Sequence, residues 1–170
     1  SCILALGSNL GERAGTLEAA VAEIAATEGI DLVSVSGTAV TKPVGGPAGQ
    51  PDFLNLVVRV ETTLAPLELL AACQAVEQTH LRTREVRWGP RTLDVDVITY
   101  GETSSDDPVL TLPHPRAAER GFVLVPWLWM EPDAMLAGRL VSALAAAAAD
   151  FEAVATGNRR DQELEIILVS

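Results

Sequence analysis

Phe53-Leu54-Asn55-Leu56-Val57-Val58-Arg59-Val60-Glu61-Thr62 is the stretch on which the fold turns. Its alternation reads as a strand, with successive side chains pointing to opposite faces. Going forward, Ala65 to about Leu81 reads as a helix. Pro66 suits its first turn, where a missing N–H costs nothing, and Leu69, Leu70, Cys73 and Val76 form the inward face. An Arg-rich loop over 82–91 leads to a further strand, Thr92 to Tyr100. Going backward, Pro43-Val44-Gly45-Gly46-Pro47-Ala48-Gly49-Gln50-Pro51 is too rich in Gly and Pro for a regular element. Before it, Val33 and Val35 suggest a strand over roughly 31–41. A helix near 12–27 places Leu17, Val21 and Ile24 on one face. A first strand over 2–7 enters that helix through Gly7-Ser8-Asn9-Leu10-Gly11.

This order is β-α-β-β-α-β, an α+β core of the ferredoxin-like kind, with helices packed on an antiparallel sheet. Beyond it, Pro113-His114-Pro115 precedes a short helix and an apolar stretch from Phe122 to Met130. An Ala-rich helix near 138–149 and a last strand, Leu164 to Val169, complete a mostly helical C-terminal extension. Neither an internal repeat nor a second domain boundary is visible, so residues 1–170 are expected to form a single domain. Such a core hosts many activities, and function has to be argued from the residues it displays.

Composition narrows the classes. With 48% hydrophobic and 21% charged residues, the 170-residue chain can bury a core without disulfides or a structural metal. No apolar run approaches the ~20 residues that cross a bilayer. Ser1-Cys2-Ile3-Leu4-Ala5-Leu6 is short and lacks a basic flank, so it reads as a strand and not a signal peptide. Cys2 and Cys73 are far apart and outside metal spacing. Cys73 reads as a small core hydrophobe, no disulfide is expected, and a reducing cytoplasm fits. The net charge of −11 argues against a general nucleic-acid binder. Yet Arg82, Arg84, Arg87 and Arg91 crowd one segment, with Arg116 and Arg120 further on. A local anion site in an acidic protein suits a small phosphate ligand. No nucleic-acid or membrane partner is expected, and the chain is expected to act as a monomer.

The chemistry concentrates in Arg87-Trp88-Gly89-Pro90-Arg91-Thr92-Leu93-Asp94-Val95-Asp96-Val97-Ile98. On a strand, Asp94 and Asp96 share a face and can aim both carboxylates at one point. Mg²⁺ takes hard oxygen ligands and keeps places for water and phosphate, so two such acids beside an Arg-rich loop suit an ATP–magnesium complex. The plainer reading is a solvated strand face. Against it, the face is expected to continue into Ile98 and Tyr100, leaving the acids only at the end nearest the Gly-Pro-Arg loop. Charged loops are usually just solvated. Arginine's bidentate bonds to phosphate nevertheless explain a preference for it over lysine at such a site. That Lys42 is the only lysine among 12 basic residues reads, with the Ala-rich helices, as a genome-composition bias and carries no mechanism. No G-x-x-x-x-G-K-[ST] occurs, so a nucleotide must be held without a P-loop.

At this point the chain resembles the 6-hydroxymethyl-7,8-dihydropterin pyrophosphokinase family of the folate pathway. The resemblance runs through Leu6-Gly7-Ser8-Asn9, Thr41-Lys42-Pro43, Gln50-Pro51-Asp52-Phe53-Leu54-Asn55, Trp88 to Asp96, and Pro113-His114-Pro115-Arg116 to Phe122. It implies pyrophosphate transfer from ATP with Mg²⁺, two ions accompanying the nucleotide. Asp94 and Asp96 match the family's metal-binding aspartates. Arg82, Arg84 and Arg91 match arginines that contact ATP phosphates in or beside a mobile catalytic loop. Gln74, Glu77, Thr111, His114 and Arg120 fall at nucleotide-contacting positions. Phe53 and Phe122 match aromatics that sandwich the pterin, while Asn55, Thr41 and backbone near Pro43 and Val44 hydrogen-bond its edge. Trp88 belongs to the loop that closes over the ligands. Two departures stand out: Leu81 where the family usually has Gly, and Ala39 in place of a usual Tyr.

The physics of these residues agrees. A flat heteroaromatic with a donor–acceptor edge suits stacking surfaces and an amide side chain, although ordinary core packing is the plainer reading of both Phe residues. For His114 the plainer reading is a turn residue held between prolines. The expected reaction is attack by the pterin hydroxymethyl oxygen on the β-phosphorus of ATP, with AMP leaving, driven by positioning and charge neutralisation. An RNA-recognition sheet shares the strand order but needs exposed aromatics and a basic surface, against 4% aromatic residues here. A Schiff-base aldolase would use Lys42, which lacks an evident apolar pocket to lower its pKa. A non-catalytic small-ligand domain leaves Asp94 and Asp96 unexplained.

Overall fold

The computed structural model describes residues 1–9, 13–41, 52–82, 92–149 and 151. Its elements in chain order are β1 (Cys2–Ser8), α1 (Arg13–Ala26), β2 (Ile30–Val35), β3 (Ala39–Thr41), β4 (Phe53–Thr62), α2 (Pro66–Arg82) and β5 (Leu93–Tyr100). A 3-10 turn (Ala117–Glu119) then precedes α3 (Gly121–Met130), the hairpin β6 (Met135–Leu136) and β7 (Arg139–Leu140), and α4 (Val141–Ala147). The main sheet runs β2-β4-β1-β5, with β3 also on β4 and every pairing antiparallel. That is the ferredoxin-like core expected from the order of elements. The expected strand over 164–169 lies outside the described residues. Among the described residues, no helix is long and apolar enough to cross a membrane.

Both faces of the sheet are covered. Cys2, Leu4 and Leu6 of β1 face α1 and α2, where Leu17, Val21, Ile24, Leu69, Cys73 and Val76 bury their side chains. The intervening Ile3 and Ala5 face α3 and α4, where Val123, Leu124, Trp127, Val141 and Leu144 form a second core. The C-terminal extension therefore supplies the second layer that a central strand needs. Leu70, expected inside, is only partly buried at the rim of the first core. Cys2 and Cys73 are both free and buried, and burial pushes the Cys73 thiol up to about 12. An inert core side chain follows.

Two irregularities correct the sequence reading. The strand expected over 31–41 is broken into β2 and β3. Val35 pairs with Val58 and Ala39 with Asn55, so three residues face two on β4. The extra residue is accommodated because the Ser36 hydroxyl takes a ladder position, accepting from Val57 N at 2.8 Å and donating to Gly37 O at 2.8 Å. The second irregularity lies in β5, where Ile3 pairs with Thr99 but Leu4 with Val97, leaving Ile98 as an inserted residue. Tyr100 consequently does not continue the face of Asp94, Asp96 and Ile98. It packs on the first core and donates its hydroxyl to Leu64 O.

Candidate functional site

β5 is an edge strand whose Leu93, Val95 and Val97 point into the first core. Alternation therefore turns Asp94 and Asp96 to the opposite face, the side of α3. Asp94 pairs across β1 with Gly7, and Asp96 with Ala5, so small residues floor this part of the sheet. One strand further, Asn55 of β4 also pairs with Gly7. Asn55 and Asp94 thus flank the same glycine on one face, two strand spacings or roughly 10 Å apart.

The acid end is electrostatically tense. Partial burial raises the Asp94 carboxyl above the usual carboxylate range, the neighbouring Asp96 charge raises it further, and Arg120 counters both. Asp94 is exposed as a whole residue, yet enough protein crowds its carboxyl for desolvation to lead. His114 is hooked to the free edge of β5 by its backbone N–H, which donates to Ile98 O at 2.8 Å. Burial is the first cause that lowers its pKa; Asp96 opposes this, while Arg120 and Arg116 add to it. Its Nδ1 accepts from Arg116 N at 3.2 Å. A neutral ring with Nδ1 accepting carries its proton on Nε2, leaving that nitrogen as a donor.

Arg120 immediately precedes α3, and its guanidinium carbon lies 5.5 Å from the centroid of the Phe122 ring. Phe122, in the first turn of α3, is half-buried on the second core. Phe53 opens β4 on the same face as Asn55, and Thr41 pairs with it. Asn55 Nδ2 donates to Thr41 Oγ1 at 2.8 Å, and Asn55 itself is buried. The bulge at 36–38 brings Ala39 and Thr41 into phase with Asn55 and Phe53. Ala39 is fully buried in the second core opposite Asn55.

The remaining described residues expected to meet the nucleotide lie on α2 and before His114. Glu77 Oε2 accepts the outward N–H of Val95 at 2.9 Å, sealing the open edge of β5 between the two aspartates. Burial raises its pKa first; the Val95 bond lowers it and Asp94 and Asp96 raise it. Gln74 is exposed on α2 three residues earlier, hence on the same helix side. The Thr111 hydroxyl donates to Asp107 O at 3.0 Å. Leu81 lies within α2, which continues to Arg82 where a glycine would favour a stop. Pro43, Val44, Arg84, Trp88 and Arg91 lie outside the described residues, as does the side chain of Arg82.

Sequence reading missed two contributors, Asn9 and Gly7, and a further role for Glu77. Asn9 Oδ1 accepts from Thr92 N at 2.7 Å, pinning the start of β5 beside the exit of β1. Glu77 acts on the strand edge, which no periodicity reveals. Gly7 lies under Asn55, and the available signal was a glycine inside an otherwise apolar strand.

Comparison with known proteins identifies the family. The family model of 7,8-dihydro-6-hydroxymethylpterin-pyrophosphokinase matches residues 3–132. A 2-amino-4-hydroxy-6-hydroxymethyldihydropteridine pyrophosphokinase from Methylorubrum extorquens is 44% identical over 138 residues, 81% of this chain and 87% of that protein. One of the same name from Pseudomonas aeruginosa is 44% identical over 133 residues, 78% and 82% of the respective chains. Among solved structures, Plasmodium falciparum HPPK-DHPS with pterin and p-hydrobenzoate shares the fold with a TM-score of 0.68 at 12% identity. That match covers 94% of this chain but only 47% of the other, so this chain spans just under half its length. With a family model matched over most of the chain and relatives at 44% identity, the chain belongs to the 7,8-dihydro-6-hydroxymethylpterin-pyrophosphokinase family and transfers pyrophosphate to the hydroxymethyl group of the dihydropterin in folate biosynthesis.

Proposed function

We propose that ATP is the pyrophosphate donor, that Mg²⁺ held by Asp94 and Asp96 accompanies it as two ions, and that AMP leaves. The observation that carries this reading is the shared face on which Asn55 and Asp94 flank Gly7. A site for a flat acceptor and a site for a charged donor then lie side by side.

The acid pair suits the metal. Asp94 is a carboxylate made uncomfortable by burial and by its neighbour's charge, which a cation would relieve. Among the described residues, no group of three or more His, Cys, Asp or Glu side chains is placed to hold a metal. Two carboxylates alone fit Mg²⁺, which draws its remaining ligands from water and phosphate. When bound, the ion would neutralise phosphate charge as the β-phosphorus is attacked.

The chain's own groups do the positioning. Phe53 and Phe122 are the stacking surfaces for the pterin, and the Asn55 amide with the Thr41 hydroxyl meets its edge. Backbone near Pro43 and Val44, and Trp88 from the 82–91 segment, complete this side. His114 donates through Nε2–H to a phosphate oxygen, and Arg120 adds a fixed positive charge. Arg82, Arg84 and Arg91 take the phosphates bidentately, while Gln74, Glu77 and Thr111 line the nucleotide. The hydroxymethyl oxygen forms its bond to the β-phosphorus as the bridging bond to the α-phosphate breaks. Such a loose transition state asks for alignment and charge neutralisation more than for a general base.

Incubation with ATP, Mg²⁺ and the reduced hydroxymethylpterin should yield AMP and the pyrophosphorylated pterin. ADP as the nucleotide product would overturn the reading, as would full activity in excess chelator. We also infer that residues 1–170 act as one domain, as a monomer in the cytoplasm; light scattering that gave a dimer mass would correct the oligomeric state.

A further inference from the structure

Gly7 is the sixth of seven residues in β1, all of them buried. A glycine there weakens the strand, because it has more freedom to lose and no side chain to pack. Backbone conformation does not demand it. The described glycines with positive φ are Gly29, Gly101 and Gly138, whereas Gly7 lies in a regular ladder between Asn55 and Asp94. Space is what it provides. A Cβ at this position would lie 2.7 Å from Asn55 Oδ1, while the nearest backbone atom, Leu54 O, would be 3.9 Å away. The obstacle is thus the tip of one side chain and not the fold. That side chain is tied at its other end, where Nδ2 donates to Thr41 Oγ1. The carboxamide therefore stretches from β3 across to β1 and rests on the bare Cα of Gly7.

We propose that Gly7 is a positioning residue for acceptor recognition: by carrying no side chain, it lets the Asn55 carboxamide lie flat across β1. In that pose the amide offers an acceptor, Oδ1, and a second N–H donor side by side, the complement of a heteroaromatic donor–acceptor edge. The inference rests on the pterin-binding reading above. A methyl at residue 7 displaces the amide tip and breaks its alignment with Thr41, at little cost to the sheet.

The test is calorimetric binding of the reduced hydroxymethylpterin and, separately, of a non-hydrolysable ATP analogue with Mg²⁺. Gly7→Ala should weaken pterin binding about tenfold, the equivalent of about 1.4 kcal/mol, and leave nucleotide affinity within about twofold. In an Asn55→Ala background, where no amide is left to displace, adding Gly7→Ala should neither weaken pterin binding further nor lower the melting temperature, and its smaller loss of chain freedom should if anything raise the latter. This second comparison stands even if the single variant folds poorly. Unchanged pterin affinity in Gly7→Ala overturns the inference, and so does further weakening or unfolding of Asn55→Ala by Gly7→Ala. Failure of the unaltered protein to bind the pterin would sink the functional reading itself, and this inference with it.

Discussion

Asp94 and Asp96 are the residues proposed to hold the metal, and each makes a separate forecast. Asp96→Ala should lower kcat by about a thousandfold or more, on the scale of losing a central electrostatic contact. Its circular dichroism spectrum should stay unchanged, because the side chain supports no core residue; a fully active variant would remove the metal assignment. For Asp94 the forecast concerns stability. Its folded pKa is raised, first by burial and then by Asp96. A carboxyl of that kind favours the folded state while protonated, below its unfolded pKa of about 3.9. That contribution is lost as pH rises through the raised folded pKa. In metal-free protein at pH 7, Asp94→Asn should therefore melt above the unaltered chain, with the gap closing toward pH 3. An Asp94→Asn variant that melts lower at pH 7 in chelator would contradict the strained-carboxylate account.

At the scale of elements, β5 is held at an open edge by borrowed partners. Glu77 of α2 takes the Val95 N–H, and the His114 N–H takes Ile98 O. Glu77→Ala removes the acceptor that α2 offers this strand N–H, and should cost about 1 kcal/mol. Exchange of the Val95 amide with solvent should speed up, whereas Glu77→Gln, which keeps an acceptor oxygen, should restore most of the protection. Equal protection in the Ala variant would show that the carboxylate does not seal this edge. Packing of α1 is a larger matter. Leu17 is fully buried between α1 and the sheet, so Leu17→Ala should cost about 2–5 kcal/mol, read from denaturant unfolding.

Across the whole molecule, the second helical layer must sit in a set place because α3 carries Phe122 and follows Arg120. Its far end is clamped: Glu131 accepts from Arg59 of β4 through Nε and Nη2, and from Trp127 Nε1 at 2.9 Å. The pair is only partly buried, so Arg59→Met should cost about 1 kcal/mol at neutral pH. Arg59, as the first cause, holds the Glu131 carboxyl below its usual range. A depressed carboxylate stabilises the fold above its unfolded pKa of about 4.3 and loses that contribution as pH falls through the folded value. The stability gap between the unaltered chain and Arg59→Met should therefore shrink in acid below about pH 4. A gap independent of pH would assign the loss to packing of the arginine stem instead. If the clamp also sets α3, the same variant should raise the KM for pterin more than that for ATP.

Local patterns in the sequence were sufficient for the order of the β-α-β-β-α-β core, the inward faces of α1 and α2, and the shared side of Asp94 and Asp96, but not for the β6–β7 hairpin, which takes residues 139–140 from the helix expected near 138–149. Periods of two and near 3.6 are properties of neighbouring residues, and they survive whatever the rest of the chain does. The alternation rule failed at Ile98, where an inserted residue reverses the phase and sends Tyr100 to the other core. It failed also at 36–38, where the Ser36 hydroxyl stands in for the ladder. Only the folded sheet decided that Gly7 lies beneath Asn55, that Glu77 caps Val95 and that Arg59 reaches Glu131. Each of these joins residues far apart in the chain, and its partner is chosen by a register that exists only once all the strands have paired.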